Sequence, residues 1–209
     1  MESLLYGKEM MIIVVAYALG CFTTGYYLVR IRTGRDIRLC GSGSVGAKNV
    51  GRVLGRPGFL ITLAGDFAKG ALAVWLAEYF RLHPVGVILA MLAAVAGHLW
   101  PAQLRCSGGK GVAASLGAVM VYDPTIALTL AGLFAAAFVI MRNFVFAGLM
   151  AFAITPLVLF GLEFPLPSVF GMSALALLIL IAHRKNVREE LAAFAMDGKL
   201  KGEKRAASK

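Results

Sequence analysis

Long uncharged apolar runs constrain this chain more than any other feature of its sequence. Five runs have about 18–20 residues, enough for a helix to cross a hydrocarbon layer of ~30 Å. They are Met10–Val29, Pro84–Pro101, Pro124–Met141, Phe144–Leu162 and Phe164–Ala182. A sixth run, Gly58–Phe80, contains three charged residues, and a seventh, Gly111–Tyr122, has only 12 residues and must be short, tilted or partly re-entrant. The pattern predicts an all-α, polytopic membrane helix bundle of about seven transmembrane helices, with five spans as the alternative.

Composition supports a membrane domain rather than a soluble, disordered or collagen-like chain. The 209 residues are 59% hydrophobic and 15% charged, whereas a soluble globular domain averages roughly 25% charged. We expect a single integral membrane domain over residues 1–209, in which residues 183–209 form the end of the last helix and a basic polar tail. The three cysteines contain no CxxC pair, so neither a disulfide framework nor a metal site is predicted.

The net charge of +10 is concentrated on one side of the predicted bundle. With seven spans, 18 of the 21 Lys and Arg fall in residues 30–57, 100–110, 142–143 and the tail from 183. The positive-inside rule places this side and the C-terminus in the cytoplasm, and the N-terminus outside. Nucleic acid is not an expected partner, because the basic residues are divided among membrane-side loops without interleaved stacking aromatics.

The first of three polar segments on this side is residues 41–52, which combine glycines, hydroxyls and cations. The glycines permit positive φ and let successive backbone N–H groups converge on one anion. The segment matches G-x-G-x-x-G, but a dinucleotide site would need a preceding strand, and a membrane helix precedes this one. Nor is it a Walker A sequence, since Ala47 separates Gly46 from Lys48. The segment predicts phosphate binding, and the alternative is a flexible loop between helices.

The second polar segment is residues 97–111, where a membrane helix ends and Pro101 marks the break. Its Gly-Gly-Lys-Gly motif at residues 108–111 places backbone amides and the Lys110 ammonium at the start of the next helix, which predicts a second anion site. His98 is either part of this site or a buried or interfacial histidine.

The third polar segment is residues 183–186 at the end of the last span. His183 and Asn186 share a face if the helix continues, and a histidine there can exchange a proton near neutral pH. The alternative is a basic helix end. Within the sixth run, Asp66 and Lys69 lie one turn apart and are predicted to pair, unless Lys69 faces the polar site as a further cation.

These segments carry four motifs in one order along the chain. They read Gly41-Ser42-Gly43-x-x-Gly46-Ala47-x-Asn49-Val50-x-Arg52, Asp66-Phe67-x-Lys69-Gly70, Gly97-His98-x-x-Pro101 with Gly108-Gly109-Lys110-Gly111-Val112-Ala113, and His183-Arg184-x-Asn186. The set resembles the bacterial acyl-phosphate:glycerol-3-phosphate acyltransferase family.

The resemblance implies a seven-helix, multi-pass enzyme of the bacterial inner membrane, with its active site facing the cytoplasm and no cofactor or metal. It implies transfer of a fatty acyl group from acyl phosphate to the 1-hydroxyl of glycerol 3-phosphate, giving lysophosphatidic acid and phosphate. Neither acyl-CoA nor acyl carrier protein is the implied direct donor. The expected partners are these two substrates and membrane lipids, and a monomer is expected.

The resemblance also assigns site residues by position. The catalytic ones are Ser42, Lys110, His183 and Asn186. Substrate or phosphate binding is expected of Gly41, Gly43, Ser44, Gly46, Lys48, Asn49, Arg52, Lys69, His98, Gly108, Gly109 and Arg142. Among these, Ser44, Lys48 and Arg142 are predicted from their hydroxyl or positive charge and not from the family motif. We expect a direct displacement in which His183 or a phosphate oxygen of the substrate takes the hydroxyl proton, with a covalent acyl-Ser42 intermediate as the rival mechanism.

The chain departs from the family pattern near the proposed site. The family usually has Asn at Ser44, Thr at Lys48, Phe-Lys at Cys106-Ser107, and hydroxyls at Val145 and Gly148. These departures bear on the acceptor more than on acyl transfer. They leave open a divergent paralogue that acylates another phosphorylated alcohol. A lipid or anion transporter is the alternative from a different functional class.

Overall fold

The computed structural model describes the backbone of residues 2–206 and the side chains of residues 7–184, 187 and 188. The helices in chain order are α1 (Glu2–Cys21), α2 (Thr24–Thr33), α3 (Ala47–Tyr79), α4 (Pro84–Leu99), α5 (Val112–Tyr122), α6 (Pro124–Met141), α7 (Phe144–Gly161) and α8 (Leu166–Ala206). Six segments of the described chain are long and apolar enough to span a membrane, with α1 and α2 counted together. The shorter α5, with 11 residues, is the seventh apolar segment. The predicted all-α membrane bundle is confirmed.

The first span is a broken helix, so the single helix expected over Met10–Val29 was wrong. α1 ends at Cys21, and Thr23 has an extended backbone (φ −89°, ψ 95°) before α2 begins. The break leaves carbonyl groups at the end of α1 without intrahelical partners. Side chains from α3 and from the loop after α4 donate to them: the Lys69 ammonium to Gly20, and the Gln103 amide to Cys21.

The third helix begins earlier than the hydropathy pattern predicts. We expected a span from Gly58, but α3 starts at Ala47 and continues through Pro57. Gly55 absorbs the resulting kink with φ 69° and ψ −165°, which is a backbone conformation open to glycine next to a proline that removes a helical hydrogen bond. As a consequence, the second half of the first polar segment is the opening of a helix, not a loop.

Close glycine contacts hold the helices together. An added Cβ on Gly20 of α1 would collide with the Ala94 carbonyl of α4, and one on Gly70 of α3 with the Ala114 carbonyl of α5. Lipid tails are as apolar as leucine side chains, so membrane helices associate largely through such small-residue packing. These contacts fix α4 and α5, which carry the second polar segment, against α1 and α3.

The two ends of the bundle differ in chemistry. At one end the Glu9 carboxylate accepts a hydrogen bond from the His83 amide at 3.2 Å, which joins the start of α1 to the turn between α3 and α4. At the other end lie the loop between α2 and α3, the loop between α4 and α5, and the middle of α8, which carry the three polar segments. That this second end faces the cytoplasm stays a prediction.

Candidate active site

The first polar segment is organised by one buried asparagine. Asn49, which is 2% exposed on the first turn of α3, donates through Nδ2 to the carbonyl oxygens of Cys40 and Ser44, each at 2.9 Å. Its Oδ1 accepts from the Ser42 amide at 2.9 Å. Asn49 thus closes the loop onto the helix, and its contacts in the described structure are protein groups.

Gly41 makes that closure possible. Its φ is +56°, a left-handed conformation that other residues rarely adopt. A Cβ at this position would also collide with Asn49 Oδ1. Both the left-handed backbone conformation and the lack of room for a Cβ therefore require glycine at position 41.

The expected nest of free amides is not formed, which corrects the prediction that these N–H groups converge on an anion. The amides of Ser42, Gly43 and Gly46 donate to Asn49 Oδ1, the Cys40 carbonyl and Ser44 Oγ. The amides of Gly108 and Gly109 donate to the carbonyls of Leu99 and His98, at 3.1 and 3.0 Å. The exposed polar side chains of the first segment that can meet a ligand are Ser42, Lys48 and Arg52.

Arg38 joins the first polar segment to the second. Its Nη1 donates to the Leu104 carbonyl at 3.0 Å, and its Nη2 lies 2.6 Å from Asp36 Oδ2. The hydrogen-bonded guanidinium holds the pKa of the Asp36 carboxyl below its ordinary value of 3.8. The guanidinium also lies over the Tyr26 ring of α2, 5.3 Å from its centroid. The hydrogen bond from Arg38 to Leu104 joins residues 66 positions apart in sequence, so it fixes how the two loops meet.

A small apolar core supports the same junction. It is separate from the main core of the bundle and is built from the end of α2, the following loop, the start of α3 and the loop after α4. Its buried members are Val29, Ile37, Val45, Val50 and Leu104. The junction between the two polar segments therefore has a packed apolar floor.

The second polar segment folds against His98. This residue is 3% exposed in the last turn of α4, and its Nε2 lies so close to Gly109 that a Cβ there would collide with it. The loop then reaches Lys110 and enters α5 through Gly111, whose φ is +82°. Because Gly109 packs directly against the His98 ring, the position of the ring constrains the backbone next to Lys110.

The predicted pair inside the third helix is formed. Lys69 Nζ lies 3.1 Å from Asp66 Oδ1, with both side chains nearly inaccessible. Lys69 also donates to the carbonyls of Gly20 and Phe22 at 2.9 and 2.8 Å. Two hydrogen bonds and one ion pair therefore engage the Lys69 ammonium within the protein instead of at the polar site.

The third polar segment lies within α8, which continues past it as the shared-face prediction requires. His183 is buried, and its Nδ1 lies 2.8 Å from the Ile179 carbonyl oxygen. A carbonyl only accepts, so Nδ1 carries the proton and Nε2 of the neutral ring carries the lone pair. Lys110 lies close enough to His183 to interact with it electrostatically. The side chain of Asn186 is outside the described residues.

A cavity of about 230 Å³ opens between the second and third polar segments. Its lining residues are Leu99, Trp100, Cys106, Ser107, Gly108, Gly109, Ile181, Ala182 and Arg184. It is polar on the side of the Gly108–Gly109 backbone and of Arg184. The three segments therefore lie together: Arg38, three residues before the first segment, joins its loop to the second segment, and the second and third segments both line this cavity.

Arg142 stands apart from these contacts. It ends α6 in a left-handed conformation, and its Nε donates to the Val139 carbonyl of its own helix at 3.1 Å. The neighbouring Asn143 caps α7 by accepting from the amides of Val145 and Phe146. The described contacts do not bring Arg142 into the cavity.

Sequence reasoning missed two residues that organise the site. Arg38 belongs to an arginine-rich loop in which nothing distinguishes it from Arg30, Arg32 or Arg35. Gln103, whose amide reaches the Cys21 carbonyl at 2.5 Å, has no signature at all. Both act across long sequence separations, so a local motif could not reveal them.

Comparison with known proteins assigns the family. The sequence profile described as glycerol-3-phosphate acyltransferase matches residues 10–193. Glycerol-3-phosphate acyltransferase 1 of Desulfitobacterium hafniense (strain Y51) is 46% identical over 183 residues, which cover 88% of this chain and 91% of the relative. The protein of the same name from Bacillus cereus (strain ATCC 14579) is 34% identical over 177 residues, 85% of this chain and 97% of the relative.

Two crystal structures of PlsY, an integral membrane glycerol 3-phosphate acyltransferase, have the same fold. The glycerol 3-phosphate form superposes with a TM-score of 0.81 at 32% identity, and the lysophosphatidic acid form with 0.78 at 30%. Each comparison covers 89% of this chain and 93% of the crystal structure's chain. On sequence and fold together, this chain belongs to the glycerol-3-phosphate acyltransferase family.

Proposed function

We propose that this protein transfers a fatty acyl group from acyl phosphate to the 1-hydroxyl of glycerol 3-phosphate, giving lysophosphatidic acid and inorganic phosphate. The observation that carries the proposal is the meeting of three polar segments at one end of an apolar bundle, through Arg38 on Leu104 and through the cavity that the second and third segments both line. Membership in the family and the PlsY forms with glycerol 3-phosphate and lysophosphatidic acid support the acceptor and the product.

Two phosphate groups must be held at once, so we assign them to separate cations. Lys48, Arg52 and the Ser42 hydroxyl form the exposed rim of the first segment, and a cation with a hydroxyl suits a phosphate dianion. Lys110 serves the second phosphate from the start of α5, where the helix dipole also favours negative charge. Gly41, Gly43, Gly46, Gly108 and Gly109 set the loop shape that aims these side chains, and Ser44 accepts from the Gly46 amide within the loop.

The bond changes are those of a direct displacement. The acceptor hydroxyl oxygen attacks the acyl carbonyl carbon, a new ester C–O bond forms, and the anhydride C–O bond to phosphorus breaks. His183 takes the hydroxyl proton at Nε2, which the Nδ1 contact with Ile179 leaves as the basic nitrogen. Phosphate leaves into the field of Lys110. Asn186 is proposed to complete the reacting centre, as its motif position suggests.

The magnitudes favour positioning as the main catalytic effect. Acyl phosphate is already an activated anhydride, so a strong nucleophile is not needed. Holding hydroxyl and carbonyl together supplies roughly 7–11 kcal/mol in favourable cases. A fixed donor at a developing charge is worth about 10²–10³ in rate, and general-base help about 10²–10⁴.

The proposal places the enzyme in the bacterial inner membrane with this site on the cytoplasmic side, acting as a monomer. The polar segments hold the basic residues that the positive-inside rule assigns to the cytoplasm. The acyl chain lies between the spans, because each buried CH₂ contributes about 0.8 kcal/mol. Membrane lipids surround the broad apolar surface of α6 and α7.

The test is a purified-protein assay that follows both products. With acyl phosphate and glycerol 3-phosphate, we expect lysophosphatidic acid and phosphate in equal amounts, and no product when acyl-CoA or acyl carrier protein thioester replaces the donor. Lys110→Ala should lower turnover by about 10²–10³, whereas Arg81→Ala, an exposed cation at the other end of α3, should not change it. Product from another phosphorylated alcohol but not from glycerol 3-phosphate would contradict the proposed acceptor.

A further inference from the structure

Three ionisable side chains lie inside the bundle without touching the cavity, and we call them the buried ionic network: Asp66, Lys69 and His98. They are 2%, 6% and 3% exposed. Burying an ion pair in a membrane protein is expensive, and well-packed apolar residues often replace such a pair without loss of stability. Stability alone is therefore a weak reason for this arrangement.

At one end of the network, Lys69 binds the break between α1 and α2. Lys69 donates to the carbonyls of Gly20 and Phe22, on the two sides of the residue at which α1 ends. These carbonyls carry the negative end of the α1 dipole, which a cation stabilises. Lys69 thus couples α3 to the α1–α2 break.

The other end of the network reaches the loop that carries Lys110. Asp66 Oδ1 faces the ring 3.6 Å from His98 Nδ1, a charge–ring contact longer than a hydrogen bond, and neither buried atom has a hydrogen-bond partner among the described residues. The opposite ring nitrogen, Nε2, lies against Gly109 with no space for a methyl group between them. The Gly109 amide donates to the His98 carbonyl at 3.0 Å, so ring and backbone of one residue both determine where this loop lies.

We infer that the buried ionic network is a positioning device for Lys110: Asp66 orients the His98 ring, the ring sets the path of Gly108–Gly111, and Lys69 anchors Asp66 to the α1–α2 break. The inference rests on the proposed function, since it assigns these residues to placing a group of that site. It makes Asp66, Lys69 and His98 positioning residues that do not contact substrate. A displacement of about 1 Å at a reacting centre costs roughly 10²-fold in rate, so a small rotation of the ring matters.

The first test removes both charges together. Asp66→Asn/Lys69→Met leaves no uncompensated charge in the bundle, which protects folding. We expect kcat to fall about 10- to 100-fold while the KM for glycerol 3-phosphate, which the first segment is proposed to hold, changes less than about threefold. Glu78→Gln, an exposed carboxylate on the same helix, is the matched control and should retain wild-type kcat. A double variant with wild-type kcat, or one whose KM rises as much as its kcat falls, would overturn the inference.

The second test addresses the ring and remains available if the double variant does not fold. His98→Phe keeps an aromatic ring against Gly109 but has no nitrogen to face Asp66. It should lower kcat by a similar factor, and adding it to the double variant should cause little further loss, because residues acting through one element are not additive. Wild-type kcat in His98→Phe, or full additivity, would contradict the inference.

A third measurement is independent of activity. Amide hydrogen exchange at residues 108–111 should be faster in both variants than in wild type and in Glu78→Gln, since the loop loses its support. If wild-type protein shows no acyl transfer but the exchange result holds, the proposed function fails and the network stands. If acyl transfer occurs and exchange is unchanged, the network fails alone.

Discussion

Asn49 Oδ1 accepts a hydrogen bond from the Ser42 amide at 2.9 Å, seven residues back along the chain. With its Nδ2 on the carbonyls of Cys40 and Ser44, the side chain of Asn49 occupies the centre of the glycine-rich loop. A loop that carries a proposed phosphate-binding hydroxyl is thereby held by a residue of the following helix. The hydrogen bonds of Asn49 therefore hold this loop in place against α3.

The first prediction concerns the direction of these hydrogen bonds. Asn49→Asp keeps an oxygen that accepts from the Ser42 amide, but its second oxygen replaces Nδ2 and faces the carbonyl oxygens of Cys40 and Ser44, which repel it. Asn49→Ala removes the hydrogen bonds of this side chain altogether. A buried polar group left without a partner costs about 1–3 kcal/mol. We expect both variants to lose thermal stability and turnover, with the near-isosteric Asp the worse of the two. A stable, active Asn49→Asp protein would show that the loop is not held in this way.

The second prediction compares two glycines that have similar backbones. Gly41 and Gly34 have φ of +56° and +70°, but a Cβ on Gly34 meets open space. Both alanine variants carry the strain of a left-handed residue, about 1–2 kcal/mol. Only Gly41→Ala should also lower turnover, by about 10- to 100-fold, because its methyl group displaces Asn49. If the two variants lost the same turnover per folded protein, the close approach of Gly41 to Asn49 would not be what supports activity.

A third prediction follows from the lowered pKa of Asp36, which its hydrogen bond with Arg38 causes. A carboxyl whose pKa is lower in the folded state stabilises the fold above its ordinary value of 3.8 and loses this contribution as pH falls through the folded-state value. The pair is partly exposed and is worth about 0.2–1 kcal/mol. Asp36→Asn should therefore lower the Tm by at most about 4 °C at pH 7.

The difference in Tm between Asp36→Asn and wild type should then shrink below about pH 3.8. Thermal unfolding in one detergent across this pH range measures it. A difference that grows as the pH falls would mean that the carboxylate does not stabilise the junction of the two loops.

The fourth prediction tests the proposed base with a matched histidine. His183→Gln should lower kcat by about 10²–10⁴ with little change in the KM for glycerol 3-phosphate. His83→Gln, at the opposite end of the bundle, where His83 accepts from the Val85 amide at 3.4 Å, should leave kcat unchanged. A His183→Gln enzyme within tenfold of wild type would mean that a phosphate oxygen of the substrate takes the proton instead.

The sequence predicts the parts of this structure that depend on nearby residues. Long apolar runs define the spanning helices, and a spacing of three residues predicts the Asp66–Lys69 pair, because both follow from helical periodicity. The break after Cys21 escapes prediction, since its carbonyls are satisfied by Lys69 and Gln103 from elsewhere in the chain. The apolar run predicted a span from Gly58, but α3 begins at Ala47 and continues through Pro57, where Gly55 absorbs the kink.

The candidate site shows the same division. The motifs identify the polar segments correctly as neighbours in space, but not how the glycines are used. Amides that looked available for an anion are taken by Asn49 and by the carbonyls of Leu99 and His98. Those partners lie seven to eleven residues away along the chain, where no local pattern reports them. The proposed phosphate recognition consequently relies on side chains rather than on these amides.

The central claim is that the three polar segments form one site that holds glycerol 3-phosphate, and a structure determined with this compound bound tests it most directly. The account predicts its phosphate against Ser42 and Arg52, with its 1-hydroxyl directed at His183 Nε2. Glycerol 3-phosphate bound at the other end of the bundle, or more than a hydrogen-bond length from all of these side chains, would contradict it.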